Sequence, residues 1–299
     1  MPFLRERSGR WSPIKVAAFA LAVAPALWLA YRTATGDLGG RPIDEALHFA
    51  GDWTVRLLLI SLAITPARRI FALPSLILAR RTIGVAAFAY VMLHLSLYVV
   101  QEKFDLAKVA SEIVLRIYLT IGIVALLGLA ALAATSTDAM VKRLGGARWQ
   151  ALHRIVYVLA VMAIAHFLMQ TKLDVTQSIM MAGFLFWLLT YRLGHRFIGD
   201  MGPWRLAALA ILSAVATALG EAAWYGLTTG IDARRVLAAN LDVAFGLRPA
   251  LWVLAVGVVI VVAAAIRAVT ATKTTRSARS PAPRPVRAAA SQRAGGETR

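Results

Sequence analysis

Three histidines, at positions 94, 153 and 166, lie within or beside long apolar stretches of the sequence. His94 follows Arg81 by 13 residues, and His166 follows His153 by 13 residues, which is about 20 Å in each case along a helix. If both stretches are helices that start on the same side of a membrane, His94 and His166 lie at similar depth. Two neutral imidazoles facing each other can serve as both axial ligands of a b-type haem iron. The spacing favours haem ligation over the alternative, in which each histidine is a polar hydrogen-bonding contact between helices.

Arginines occupy the positions where a second histidine pair would need a partner for His153. Arg81 and Arg80 precede His94 by 13 and 14 residues, and a guanidinium stays protonated and is a poor iron ligand. Guanidinium is well suited to phosphate and carboxylate groups. The sequence therefore predicts that Arg80, Arg81 and Arg148, together with His153, bind flavin phosphate or haem propionate. The alternative is that the arginines only set the orientation of the chain in the membrane.

The elements that position these residues are apolar stretches long enough to cross a bilayer. The chain has 299 residues, of which 59% are hydrophobic and 16% are charged, and it has no cysteine. This composition predicts an all-α integral membrane protein without disulfides or thiolate metal sites. Stretches of about 20 apolar residues predict a helical bundle of about eight transmembrane spans, with approximate bounds 14–31, 43–65, 82–100, 113–134, 150–169, 178–194, 204–227 and 249–268.

The charges between the predicted spans give an orientation. Loops and termini on one side carry 22 lysines and arginines, against 9 on the other side. Because positive residues stay on the cytoplasmic side, both termini are expected to be cytoplasmic. Residues 271–299 are rich in arginine, alanine and proline and have no hydrophobic periodicity, which predicts a disordered basic tail. The net charge of +18 follows largely from this topology and tail, so nucleic-acid binding is not expected.

Two acidic residues lie well inside predicted spans, away from the span ends. Asp52 and Arg56 are four residues apart in the second span, a spacing that predicts a mutual ion pair. Glu221 lies in the seventh span, where an acid is a functional candidate by its position alone. We expect residues 200–270 to pack against lipid or a partner, and the alternative is a quinone- or proton-related role for Glu221.

Long ordered motifs in the N-terminal two thirds of the chain resemble the MsrQ family, within the ferric reductase-like transmembrane superfamily. The resemblance covers roughly residues 14–199. The motifs that carry it are HFAGDW followed by LAITPARR, then RRTIGVAAFAYVMLHLSLY, YLTIGI and TSTDAMVKRLGGARWQALHRIVYVLAVMAIAHF.

The resemblance implies a membrane electron-transfer subunit in the bacterial inner membrane. Its cofactors would be haem b and FMN, with His94, His153 and His166 as haem-associated histidines. Electrons would come from the quinone pool or a cytosolic flavin reductase. They would pass to a periplasmic molybdopterin-containing methionine sulfoxide reductase subunit, MsrP, which repairs oxidised proteins.

The predicted organisation is a haem-binding core, an added pair of spans and the tail. By the resemblance, residues 1–199 form the ferric reductase-like core of six spans, and residues 200–270 add two more. The sequence has neither a P-loop nor a glycine-rich dinucleotide-binding turn, so the electrons must come from another molecule. It also lacks apparent residues for sulfoxide chemistry, so no catalytic residue is expected. Two other functions remain open, a quinone-linked cytochrome b for a different periplasmic reductase and a proton-coupled transporter.

Reporter fusions test the predicted orientation. A reporter fused after Arg299 should report a cytoplasmic location, and one inserted near Thr229 should report a periplasmic location, because eight spans return the chain to its starting side. Paired alkaline phosphatase and fluorescent protein fusions measure this. The reverse pattern at both positions would contradict the charge argument.

Overall fold

The computed structural model describes residues 10–171, 174–244 and 246–278, and every regular element in these ranges is helical. The predicted all-α class is confirmed. In chain order the helices are α1 (Pro13–Ala34), α2 (Pro42–Ile70), a 3-10 turn (Pro74–Leu78), α3 (Ala79–Gln101), α4 (Leu106–Leu115), α5 (Ile117–Ala134), α6 (Asp138–Leu144), α7 (Gly146–His153), α8 (Val156–Gln170), α9 (Thr176–Phe197), α10 (Pro203–Thr229), α11 (Ala233–Ala239) and α12 (Pro249–Ala278).

Seven segments in the described ranges are long and apolar enough to cross a membrane. They correspond to α1, α2, α3 with its preceding turn, α5, α7 with α8, α10, and the part of α12 up to Thr270. The remaining predicted span, 178–194, is the 22-residue helix α9, which is long enough but more polar. Helix α9 runs alongside α2 in the same direction, since Gln177 near its start accepts a hydrogen bond from Arg56 and Arg192 near its end donates to the Leu62 carbonyl. It therefore crosses the bundle between α8 and α10.

The predicted start of the fourth span, at residue 113, is wrong. The predicted span 113–134 is interrupted at Arg116, whose extended backbone separates α4 from α5. Asp105 caps the start of α4 by accepting a hydrogen bond from the Lys108 N–H, an arrangement that stabilises the first turn. Helix α4 is amphipathic and short, so it is a separate element and not the beginning of a span.

The segment with His153 and His166 is also interrupted. Helix α7 ends at His153 and α8 begins at Val156. On one ideal helix, 13 residues would leave the two histidines about 140° apart. Because α7 and α8 are separated at Arg154 and Ile155, the directions of His153 and His166 do not have to follow the geometry of one straight helix.

The hydrophobic core continues from the helices of residues 13–197 into the added C-terminal helices. Buried residues of α2, α3, α8 and α9 form one cluster with Leu206 and Leu209 of α10. Helices α10 and α12 both pack on α9, and Arg267 of α12 donates a hydrogen bond to the Ile70 carbonyl at the end of α2. The predicted tail boundary at residue 271 lies inside α12, which is helical to Ala278. Residues 279–299 lie outside the described residues.

Glu221 has a partner within the added helices. Its side chain is 0% exposed. Arg248 Nη2 donates to Oε1 at 2.6 Å, and Asn240 Nδ2 donates to Oε2 at 2.9 Å. Glu221 lies on α10, Asn240 directly follows α11, and Arg248 directly precedes α12. The ion pair therefore joins α10 to the start of α12, at the ends that α11 connects. A buried carboxylate needs such partners because its desolvation is unfavourable.

Replacing Arg248 with methionine should destabilise the protein, because it leaves the buried Glu221 carboxylate without its counter-charge. We expect a loss of about 3 kcal/mol in the free energy of unfolding, and recovery of most of it in the double variant Glu221→Leu/Arg248→Met. Thermal unfolding in detergent, followed by circular dichroism, measures both. Arg235→Met, at an exposed position of α11, is the control. Equal melting temperatures for Arg248→Met and the control would contradict a stabilising pair.

Candidate functional site

Helices α3 and α8 bring His94 and His166 together. Arg81 at the start of α3 pairs with Asp138 at the start of α6, so α3 and the α6–α8 segment begin at the same end of the bundle. The two ring centroids lie 6.4 Å apart, and the ring planes are nearly perpendicular, at 87°. This is the pairing that the depth argument expected. Two histidines distant in sequence thus face each other inside the bundle.

The distance suits two imidazoles on opposite sides of one metal ion. A metal–imidazole nitrogen bond is about 2 Å long and each ring centroid lies about 1 Å behind its nitrogen, so the two centroids should be roughly 6 Å apart. The observed 6.4 Å matches this value. The pair offers two nitrogen donors, the number that a six-coordinate haem iron takes from the protein.

Main-chain carbonyl groups determine which nitrogen of each ring is available. His94 Nδ1 lies 2.9 Å from the Leu47 carbonyl oxygen, and His166 Nδ1 lies 2.8 Å from the Tyr118 carbonyl oxygen. A carbonyl only accepts hydrogen bonds, so Nδ1 carries the proton in both rings and Nε2 keeps its lone pair. A backbone carbonyl in this position is a common second-shell partner of metal-binding histidines, because it fixes the tautomer and the ring orientation. Both rings are therefore set up for ligation through Nε2.

A mostly apolar cavity of about 140 Å³ surrounds the two rings. It is enclosed by α2, α3, α5 and α8, with the end of α4 at one edge. Its polar lining, apart from the pair itself, includes His48, Asp52, Tyr98 and Gln170. His48, near the start of α2, is one of the lining residues. An apolar cavity with a few polar groups is the usual form of a cofactor site.

Hydrogen bonds close the bundle next to the cavity. Tyr98 of α3 donates to Glu112 Oε2 of α4 at 2.6 Å. Arg116 donates to Glu112 Oε1 at 3.1 Å and to the Tyr118 hydroxyl at 3.1 Å. Tyr118 is also the residue whose carbonyl binds His166. The network therefore links α3, which carries His94, to α5, whose Tyr118 carbonyl binds His166, and the link passes through α4. The sequence analysis did not distinguish α4 from α5.

The predicted ion pair between Asp52 and Arg56 is present. Their side chains are 3.4 Å apart, and Arg56 also donates to Gln177 Oε1 at 2.7 Å. Asp52 lines the histidine cavity, whereas Arg56 lines a second groove on the other side of α2. The pair thus connects the two spaces.

The second groove has a volume of about 370 Å³ and is almost entirely apolar. It lies between α1, α2, α9 and α12, and its aromatic lining includes Trp53, Phe184 and Trp187. Trp187 Nε1 is buried, and no acceptor for it is found among the described residues. The groove is therefore an apolar space beside the histidine-bearing core, and helix α12 of the added pair forms one of its walls.

The inner group of predicted site residues is only partly assembled. His153 stacks on Trp149 at 3.9 Å, with Nδ1 3.0 Å from the Trp149 carbonyl oxygen and Nε2 3.4 Å from the Ser136 hydroxyl. Arg80 and Arg81 both lie within electrostatic range of His153. Arg81 additionally binds Asp138 at 2.6 Å.

Arg148 lies exposed on α7. The fold places a further arginine, Arg192 of α9, near the predicted basic residues, and the sequence analysis did not identify it as a site residue. Arg192 donates to the Leu188 carbonyl, and its guanidinium lies over the Tyr157 ring, 5.2 Å from the centroid. It is within electrostatic range of Arg69 and Arg80. Its position in the last third of a predicted span was the signal that could have identified Arg192 from the sequence. The residues near it come from α2 and α3, which the sequence of α9 does not indicate. Arg192 therefore joins Arg69 and Arg80 in a basic group at this end of the bundle.

Comparison with known proteins gives a family match over the part of the chain that contains His94 and His153 and ends just before His166. The family described as ferric reductase like transmembrane component matches residues 50–164. This range contains α3, α5 and most of α8. No solved structure gives a significant match.

Three bacterial relatives carry the same description, protein-methionine-sulfoxide reductase heme-binding subunit MsrQ. The protein from Rhodospirillum rubrum is 42% identical over 190 residues, which is 63% of this chain and 89% of the relative. The protein from Caulobacter vibrioides is 45% identical over 152 residues, covering 50% of this chain and 72% of the relative. The protein from Herminiimonas arsenicoxydans is 43% identical over 155 residues, covering 52% and 71%.

Proposed function

This chain belongs to the MsrQ family, and on that basis we propose that it binds b-type haem between His94 and His166 and carries electrons across a membrane. The observation that supports this most directly is the paired rings, 6.4 Å apart with both Nδ1 atoms bound to carbonyls. His94 and His166 would hold the haem, which would supply one-electron redox chemistry when bound. The chain would act as the non-catalytic electron-transfer subunit of a protein-methionine-sulfoxide reductase.

The protein's own residues would hold the group, orient its ligands and exclude water. The Leu47 and Tyr118 carbonyls would keep Nε2 of each histidine directed into the cavity. The apolar walls of α2, α3, α5 and α8 would exclude water from the macrocycle. A low-dielectric environment of this kind is one of the means by which proteins tune haem potentials.

We propose that the inner basic residues hold an anionic group, flavin phosphate of FMN or a haem propionate. Arg80, Arg81 and His153 lie close together, and Arg148 and Arg192 add positive charge at the same end. Guanidinium groups offer paired donors to phosphate and carboxylate oxygens. We assign His153 to this inner site and not to the His94–His166 pair, since its Nδ1 and Nε2 have partners in Trp149 and Ser136.

The proposed electron donor and acceptor rest on the resemblance of the sequence to the MsrQ family and on the expected orientation of the chain. We propose the quinone pool or a cytosolic flavin reductase as the donor, and the periplasmic molybdopterin-containing subunit MsrP as the acceptor. The apolar groove against Trp187 is of a size that suits a membrane-soluble donor. The proposed location is the bacterial inner membrane, with both termini cytoplasmic.

The same groove favours a second candidate function, a quinone-linked cytochrome b that serves a different periplasmic reductase. Co-purification of the soluble partner distinguishes the two candidates. Capture of a methionine sulfoxide reductase supports the first, and capture of another reductase supports the second.

Replacing His94 or His166 with alanine tests the haem site. Each variant should lose most of the b-type absorbance, because one imidazole cannot complete a six-coordinate iron. Pyridine haemochrome quantification and reduced-minus-oxidised spectra of purified protein measure this. His195→Ala, in α9 and outside the cavity, is the matched control and should keep its haem. Full six-coordinate spectra in both cavity variants would refute the assignment.

Replacing both Arg80 and Arg81 with lysine tests the inner site. Lysine preserves the charge that sets topology but loses the planar pair of donors, so flavin content and electron transfer to the periplasmic subunit should fall. The control is Arg68→Lys/Arg143→Lys, two arginines at the same end of the bundle. If flavin content, haem spectrum and electron transfer all match the control, Arg80 and Arg81 act only in topology.

A further inference from the structure

We propose that Gly51 and Gly122 are positioning residues that set the orientation of the two imidazole planes. The inference rests on the proposed haem site and goes beyond it, because it assigns the control of ligand geometry to two residues without side chains. It follows from a contact that occurs in the same form on two different helices.

The two histidine contacts have the same local construction. His94 binds the carbonyl of Leu47, and Gly51 follows Leu47 by four residues on α2. His166 binds the carbonyl of Tyr118, and Gly122 follows Tyr118 by four residues on α5. In both places the carbonyl and the glycine lie on one helix, and the histidine reaches them from the neighbouring helix.

Helix geometry explains why glycine is needed four residues after the carbonyl. In an α-helix the carbonyl of residue i binds the N–H of residue i+4, and each Cβ tilts toward the N-terminus. The side chain at i+4 therefore covers the carbonyl of residue i from the side. Without a Cβ at that position, a ring from another helix can approach the carbonyl as a second donor. Glycine is otherwise a poor helix former.

The close approach is visible in the distances. A Cβ added at Gly51 would lie 3.0 Å from His94 Nδ1 and 3.1 Å from Cε1. A Cβ added at Gly122 would lie 2.8 Å from His166 Nδ1 and 2.9 Å from Cε1. Each ring thus lies directly against the glycine, and an alanine would push it away from its carbonyl. The displacement would be larger at Gly122.

Together the two contacts hold the rings at 87° to each other. The angle between axial imidazole planes governs the splitting of the iron d orbitals. In low-spin ferric haem, perpendicular planes give a strongly anisotropic electron paramagnetic resonance signal with one large g value, and parallel planes give a rhombic signal. The Nδ1–H···O=C bond also makes the imidazole a stronger donor, so it favours the ferric state. Weakening this bond should raise the midpoint potential.

The test is to replace Gly51 and Gly122 singly with alanine in the full chain. We expect the wild type to show the anisotropic signal. In Gly122→Ala the largest g value should fall and the midpoint potential should rise, and Gly51→Ala should show smaller shifts in the same directions. Electron paramagnetic resonance and potentiometric titration of purified protein measure these changes, with haem content measured alongside.

Gly128→Ala and Gly220→Ala are the matched controls. Gly128 lies on α5 like Gly122, but a Cβ there would meet Leu159 Cδ2 at 2.4 Å and not a histidine. It therefore perturbs the packing of α5 on α8 without touching a ligand. A Cβ at Gly220 would meet nothing within 4 Å. Both controls should keep the wild-type g values.

Each outcome decides the proposal. Wild-type g values and midpoint potential in both Gly51→Ala and Gly122→Ala would overturn it. Equal shifts in Gly128→Ala would also overturn it, since packing alone would then account for the effect. If Gly122→Ala does not accumulate, Gly51→Ala decides by the same readouts. A wild-type protein without haem would instead refute the proposed function.

Discussion

Two hydrogen bonds from imidazole Nδ1 atoms to helical carbonyls determine where the paired rings of this bundle point. Each bond joins two helices, α2 with α3 and α5 with α8, so it requires them to keep a particular register. A helical rise of about 1.5 Å per residue means that a slip of one residue would separate donor from acceptor. The packing of these four helices is therefore coupled to the orientation of the site, and neither can change without the other.

The four helices behave as two similar units around one cavity. In each unit a carbonyl on one helix holds a histidine on the next, and the two histidines face each other at 6.4 Å. Helix α4 joins the units, since Glu112 binds Tyr98 of the first unit, and Arg116 bridges Glu112 and Tyr118 of the second. A short amphipathic element, and not a further span, completes this side of the cavity.

Two acidic groups within the described part of the bundle are each paired with an arginine. Asp52 is paired with Arg56, and Glu221 is paired with Arg248. Unpaired charges are unfavourable in an apolar environment, so pairing lowers the cost of placing these charged side chains inside the bundle. The first pair has one member in the lining of the histidine cavity and the other in the lining of the apolar groove. The second joins α10 to the segment before α12, and α12 in turn forms a wall of that groove. The added helices thus contribute to a space beside the core.

Much of the architecture could be predicted from the sequence because span length and charge are local properties. Apolar stretches of about 20 residues identified the helices, and equal spacing from the same side placed His94 and His166 at one depth. The i,i+4 spacing was also sufficient for Asp52 and Arg56, since both lie on one helix. The boundary at Arg116 was missed because hydropathy does not distinguish a short amphipathic helix from the start of a span.

The all-α class, the positions of the long helices, the common depth of the paired histidines and the excess of basic charge at one end could all be predicted from the sequence. The contacts between groups on different helices are seen only in the tertiary structure. The Leu47 and Tyr118 carbonyls, the missing Cβ atoms of Gly51 and Gly122, and the addition of Arg192 to the inner basic group all depend on neighbours distant in sequence. The physical reason is that carbonyl groups and glycines are present throughout a helix. Their role is set by the side chain that packs against them, and the sequence of one helix does not contain that information.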